Sequence, residues 1–251
     1  GPIFVRRESS GERVYEGPDA SLVPTLMREL VEDIRRGDDG SPILVKAAMA
    51  HLNLVMIHPF ADGNGRMGRA IQTLVLTRDG IVSPLFSSIE EYLGSRNNTE
   101  AYYSFLADVG LGHWNPQNDA RPWIRFCLRA HLQQAVTLER RVREISRLFD
   151  DLEAELLRRK LNPRMVFALY DAAIGFRVKS ESYRATADIS SQVASRDLSL
   201  LVDQGFLIPK GEKKGRAYIG SQFLFDLREK AREQKVLLPT DLFGAQLDFL
   251  K

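Results

Sequence analysis

The stretch HPFADGNGRMGR, His58 to Arg69, lies between two apolar segments whose spacing reads as buried helix. Pro59 removes a backbone donor and disfavours helical geometry at the residue before it, so the first helix should stop at His58. Gly63 and Gly65 permit turns and close approaches that a side chain would block, and Asn64 between them tolerates the same angles. The second helix is expected to start near Arg66, with its free N–H groups and positive dipole end facing the loop. Arg66 and Arg69, three apart, project from one face of its first turn. Asp62 would repel an anion unless a cation lay between them, which is how Mg²⁺ is held beside nucleotide phosphates. The set suits a magnesium triphosphate. His58 is the one group here able to take a proton near neutral pH, and the loop offers no Ser, Thr or Cys nucleophile. The attacking hydroxyl must arrive from elsewhere.

This stretch resembles the signature of the Fic family, His-Pro-Phe-x-Asp/Glu-Gly-Asn-Gly-Arg-x-x-Arg, with every specified position present. The resemblance implies Mg²⁺-dependent transfer of AMP from ATP to a Ser, Thr or Tyr hydroxyl of a target protein. It makes His58 the general base and Asp62 the metal ligand. Gly63, Asn64 and Gly65 become the anion hole, Arg66 and Arg69 the polyphosphate contacts, and Phe60 an inward-packing loop anchor. The glutamate-bearing inhibitory pattern of many Fic proteins, Ser/Thr-x-x-x-Glu-Gly/Asn, does not occur: Glu16-Gly17 is preceded at the required distance by Glu12. The leading Gly1-Pro2 reads as a cleavage scar, and the inhibitory segment is expected upstream of it or in a separate protein.

The 251 residues suffice for one large domain or two smaller ones, and a 44% hydrophobic content supports a sizeable core. With 35 basic against 33 acidic residues, bulk charge argues for neither a nucleic-acid nor a membrane partner. The single cysteine, Cys127, excludes an intrachain disulfide and sits in an apolar run as a buried small residue. A reducing cytoplasm is the expected location, and no apolar run is long enough to span a bilayer.

Before the signature, IFVRRESSGERVYE (Ile3 to Glu16) reads as a β-hairpin. By resemblance it is the flap that docks a target segment by strand addition. Ser21 to Arg36 has the apolar spacing of an amphipathic helix, and a further helix runs from Pro42 to the signature. His51 on that helix is read as a packed residue. After the signature, Glu90 to Val109 holds Asn98, Tyr102 and Tyr103, which resemble a family segment near the nucleoside and are candidates to touch adenosine; core packing is the other reading. Trp114 to Leu132 resembles the aromatic segment that finishes a Fic core, and a long charged helix follows to about Lys160.

From Leu161 the pattern changes to three short helices followed by the strands FLIP and RAYIG, which reads as a winged helix-turn-helix. Ser191, Gln192 and Arg196 would front its third helix, and Lys213, Lys214 and Arg216 could meet DNA phosphate. Docking onto protein is the other reading of this module. The expected architecture is therefore mainly α: a Fic-type helical bundle with a β-hairpin flap over residues 1–157, a winged-helix (α+β) module over 158–220, and a helix and tail over 221–251. Protein adenylyltransferase is the leading function. The alternatives are a DNA-binding regulator whose core senses nucleotide, or a Fic enzyme that uses another nucleotide or removes AMP. ATP and a hydroxyl-bearing target protein are the expected partners; a homo-oligomer stays open.

Overall fold

A computed structural model describes residues 4–6, 11–36, 40–78, 88–211 and 216–239. The chain forms two compact units, Gly1–Leu138 with Val236–Lys251, and Glu139–Lys235. The division falls inside a helix rather than at residue 157, because the apolar periodicity of that helix continues across it without a break.

In the first unit, β1 (Phe4–Arg6) and β2 (Arg13–Glu16) form the expected antiparallel hairpin, with Phe4 opposite Glu16 and Val5 opposite Tyr15. The Arg13 guanidinium lies 3.3 Å above the Phe4 ring. Glu16 also pairs on its other side with the stretch after the fifth helix, donating to Gly112 O at 2.9 Å and accepting from Trp114 N at 2.7 Å. Helices α1 (Val23–Arg36), α2 (Ile43–Ile57) and α3 (Asn64–Arg78) follow, then α4 (Glu90–Leu93), α5 (Arg96–Gly110) and α6 (Arg121–Arg158). The stretch from Glu90 to Val109 forms two helices that meet at Gly94 and Ser95, the latter extended. The aromatic segment and the long charged helix are one element, α6.

Helix α2 is the centre of the unit, because apolar residues occupy two of its faces. Ala47, Ala50, Leu54 and Ile57 pack with Leu30 of α1 and Val75 and Leu76 of α3. Ala48 and Leu52 pack with Tyr102 and Val109 of α5 and Trp123, Phe126 and Cys127 of α6. The indole N–H of Trp123, fully buried, donates to Ala48 O at 2.8 Å. From α6, the Gln133 amide holds the chain at Val236 and Leu238, donating to Val236 O and accepting from Leu238 N.

In the second unit a short 3₁₀ turn (Pro163–Met165) leads into α7 (Val166–Ala173), α8 (Ser180–Ala187), α9 (Ser191–Asp203), the antiparallel pair β3 (Leu207–Lys210) and β4 (Ala217–Gly220), and α10 (Gln222–Ala231). Val178 adds an antiparallel bridge to Tyr218 of β4. Leu148, Leu152 and Leu156 of α6 join Leu169, Leu198, Leu201, Phe206 and Leu224 in one core, so α10 belongs to this unit rather than to a separate tail. Asp197 is fully buried and receives the Arg164 guanidinium at 2.7 and 3.1 Å and the Tyr183 hydroxyl at 3.1 Å.

Candidate active site

Pro59 ends α2 as the sequence requires. His58 caps the helix in the left-handed region (φ 52, ψ 55) rather than extended, its N–H returning to Leu54 O at 3.0 Å. This turn brings His58 Nδ1 within 3.1 Å of Val55 O. A carbonyl can only accept, so Nδ1 carries the proton and Nε2 keeps its lone pair. Partial burial lowers the His58 pKa, opposed by the Val55 carbonyl, so the ring is neutral and basic at Nε2 near pH 7.

The following loop is held by its own polar atoms. Gly63 takes a φ of 89 that other residues rarely adopt, and Asp62 Oδ1 accepts from its N–H at 2.6 Å. Helix α3 begins at Asn64, two residues before the expected start at Arg66. Gly65 is therefore helical rather than a turn glycine. Met67 N donates to Gly63 O, so the N–H groups of Asn64, Gly65 and Arg66 face the loop with no acceptor inside the helix. These are the donors an anion needs.

Phe60 departs from its expected role. The residue is 42% exposed, and the loop is instead anchored by the Phe60 backbone, which is bonded at both its N–H and its carbonyl to the buried Asn64 amide. Asn64 thus offers the loop its backbone, while its side chain is structural. Arg66 is 73% exposed and pairs with Asp62 at 3.0 Å. Arg69 is only 18% exposed, and its Nε donates to Glu90 of α4. Desolvation would lower the Arg69 pKa, but Glu90 and the Tyr102 hydroxyl outweigh it and the net shift is upward.

Of the candidate nucleoside residues, Tyr102 is 2% exposed in the core beside Trp123 and Phe126, so its ring offers adenosine no open face. Burial pushes its hydroxyl up to about 12, against the pull of Arg69. Asn98 donates its amide to Tyr92 O at 2.7 Å and closes the corner between α4 and α5. Tyr103 alone of the three is well exposed, at 63%, edge-on to Tyr102. A separate cavity of about 440 Å³ lies among α1, α2 and the stretch after α5, lined by Met49, Asn53 and Trp114 and by no residue of the 58–69 loop.

Among the described residues no three His, Cys, Asp or Glu side chains converge on a metal position. A lone exposed Asp62 carboxylate nevertheless fits Mg²⁺, which takes one or two carboxylates and completes its shell with phosphate and water. In the second unit Ser191, Gln192 and Arg196 are exposed at the front of α9, and Arg216 is exposed beside β4. Lys213 and Lys214 lie outside the described residues. No helix among the described residues is long and apolar enough to cross a membrane.

Two residues that sequence reasoning left out complete the site's surroundings. Gly68 faces His51 so closely that a Cβ would fall 2.4 Å from His51 Cδ2, and Glu90 holds Arg69. A glycine inside a helical pattern was the available signal for the first. Nothing in the sequence marked the second.

Residues 3–76 match the family model described as Fic/DOC family. A Fido domain-containing protein of Dictyostelium discoideum is 37% identical over 99 residues, covering 38% of this chain and 67% of that protein. A protein adenylyltransferase of Caenorhabditis elegans is 32% identical over 119 residues, covering 45% of this chain and 21% of the relative. A probable protein adenylyltransferase of Aquifex aeolicus is 30% identical over 86 residues, covering 34% of this chain and 27% of the relative. The chain thus spans only about a fifth to a quarter of the length of those two relatives. The crystal structure of a Fic family protein from Desulfovibrio desulfuricans G20 aligns with 87% of this chain and 60% of that one, at 24% identity and a TM-score of 0.46. The chain belongs to the Fic/DOC family.

Proposed function

We propose that this chain is a protein adenylyltransferase that moves AMP from ATP to a Ser, Thr or Tyr hydroxyl. The observation that supports it most directly is the placing of a neutral His58, its Nε2 free to accept, beside a helix start whose amides lack internal acceptors. Arg66 and Arg69 add two guanidinium groups to the same loop.

In this reading the amides of Asn64, Gly65 and Arg66 and the arginines grip the polyphosphate. Asp62 would hold Mg²⁺, which supplies neutralising charge to the phosphate oxygens when bound. The acceptor hydroxyl gives its proton to His58 Nε2 as its oxygen attacks the α-phosphorus. The bond from that phosphorus to the bridging oxygen breaks, and pyrophosphate leaves. Asp62 must exchange its contact with Arg66 for the metal, which high exposure of both makes inexpensive. The hairpin is tied to α2 by the Tyr15 hydroxyl, which donates to Met56 O at 2.7 Å, two residues before His58. In this reading the β1 strand, paired with β2 alone among the described strands, receives a target segment as an added strand.

The experiment uses lysate protein, Mg²⁺ and ATP labelled at either the α- or the γ-phosphate. Adenylyl transfer leaves α-label on protein that is lost in His58→Ala; γ-label lost in the same variant means phosphoryl transfer, and no His58-dependent label means the reading is wrong.

A second activity is proposed for the second unit. Gln192 and Arg196 face away from buried Ala194, Leu198 and Leu201 on α9, with Ser191 exposed at its first position, and this supports a winged-helix contact with DNA. A salt-dependent mobility shift that weakens in Arg196→Ala tests it, and no shift at low salt would leave the unit as a docking module.

A further inference from the structure

Behind the loop, a line of buried polar groups crosses the first unit through α5, α2, α3 and α6. The Tyr102 hydroxyl lies 3.1 Å from His51 Nε2, His51 Nδ1 lies 2.6 Å from Gln72 Oε1, and Gln72 Nε2 lies 2.9 Å from His131 Nε2. His51 and Gln72 are exposed by 0% and 1%. Burying such groups is costly unless every one is satisfied, and here each has a partner.

The line also has a direction. An amide oxygen can only accept, so His51 Nδ1 must donate to Gln72; burial holds the ring neutral, with a pKa of about 4, so Nε2 must accept from Tyr102 O–H. The Tyr102 proton is thereby committed to the interior, and its oxygen presents only lone pairs outward. Arg69 is what faces them: its Nη1 and the Tyr102 oxygen lie 3.5 and 3.6 Å from the same point, the Cβ position of Gly65, which places the guanidinium beside the hydroxyl. Gly68 leaves the space that lets His51 sit between α2 and α3. Arg66, by contrast, is 73% exposed and, among the described residues, is held by Asp62.

We propose that His51, Gln72 and Tyr102 are positioning residues that fix the acceptor face of the Tyr102 hydroxyl toward Arg69, so that this guanidinium meets the nucleotide phosphates already oriented. The proposal rests on Arg69 as a phosphate ligand. Its signature is coupling: Tyr102 acts only through Arg69, whereas a merely structural hydroxyl acts whatever stands at position 69.

The test is calorimetric titration of MgATP into the full chain carrying Tyr102→Phe, Arg69→Ala, or both. Tyr102→Phe keeps the ring and is expected to weaken binding by about fivefold, the effect of one hydrogen bond. In the Arg69→Ala background the same change has no further effect. Gln72→Met, which removes the acceptor that sets the His51 tautomer at nearly constant volume, repeats the pattern should Tyr102→Phe not fold. Equal losses in both backgrounds, or no loss in either, overturn the proposal. If Arg69→Ala binds MgATP as tightly as the unaltered chain, the phosphate role of Arg69 itself fails, which is a different result from the loss of coupling alone.

Discussion

Asn64 closes on the backbone of Phe60 at both ends, its amide donating to the Phe60 carbonyl at 2.7 Å while the Phe60 N–H donates to its Oδ1 at 3.0 Å. The loop between His58 and α3 is therefore clamped by a side chain that is 3% exposed. Removing it in Asn64→Ala deletes both bonds and leaves two backbone groups to find water, at a cost of about 1–3 kcal/mol. The loop amides then lose their fixed aim, so AMP transfer is expected to fall by about tenfold or more with the fold retained. Rate and thermal midpoint measured together check this. Unchanged transfer at unchanged stability would mean the clamp is unnecessary.

Gly68 of α3 stands directly against His51 of α2. A Cβ there would lie 2.4 Å from His51 Cδ2 and 2.8 Å from Nε2, and His51 is fully buried with no room to retreat. Gly68→Ala is expected to destabilise the first unit by about 1–3 kcal/mol through overpacking, although alanine is the better helix former by about 1 kcal/mol. Denaturant melts read the sign directly; a stabilised variant would show that the helices can part freely.

His51 also makes stability depend on pH. Its folded pKa, lowered to about 4 by burial, lies below the ordinary 6.5 of the unfolded chain. Between these values the unfolded chain binds the proton and the folded one does not. Stability from this group is complete above pH 6.5 and is lost as pH falls toward 4, by about 3 kcal/mol in all. His131, lowered to about 4 by burial, acts in the same direction. His51→Gln is expected to flatten the fall in melting temperature over that window, and an unchanged slope would contradict the burial argument.

The second unit holds a buried charge whose partners can be removed one at a time. Asp197 is fully buried and takes both the Arg164 guanidinium and the Tyr183 hydroxyl. Arg164→Ala leaves that carboxylate without its cation and is expected to cost about 3–5 kcal/mol. Arg164→Ala with Asp197→Leu should recover part of it, because no unpaired charge then remains. Chemical denaturation of the three chains tests the order.

The signature was legible because its residues act through local backbone rules. A proline after His58 ends a helix, a positive φ calls for Gly63, and a helix start presents amides, all within the 58–69 stretch. What lay beyond local rules was less visible. A phenylalanine in a loop can anchor through its ring or through its backbone, and here Asn64 decides for the backbone. Paired tyrosines at helical spacing can face core or ligand, and the Trp123 and Phe126 rings draw Tyr102 inward. Helix α6 has unbroken periodicity, so no turn residue marks where the units divide. The His51, Gln72 and Tyr102 alignment joins side chains from three different helices, and no spacing within one helix could reveal it.

The central claim is that His58, neutral and accepting through Nε2, takes the proton of an incoming hydroxyl. The most direct measurement is single-turnover transfer of α-labelled AMP from ATP and Mg²⁺ by the unaltered chain and by His58→Ala, followed across pH 5 to 9. The account predicts a loss of about a hundredfold or more in His58→Ala. It also predicts, for the unaltered chain, a rate that rises with pH to a plateau through a midpoint below 6.5, since burial lowers the His58 pKa. Equal rates in the two proteins, or a rate that falls as His58 loses its proton, would contradict it.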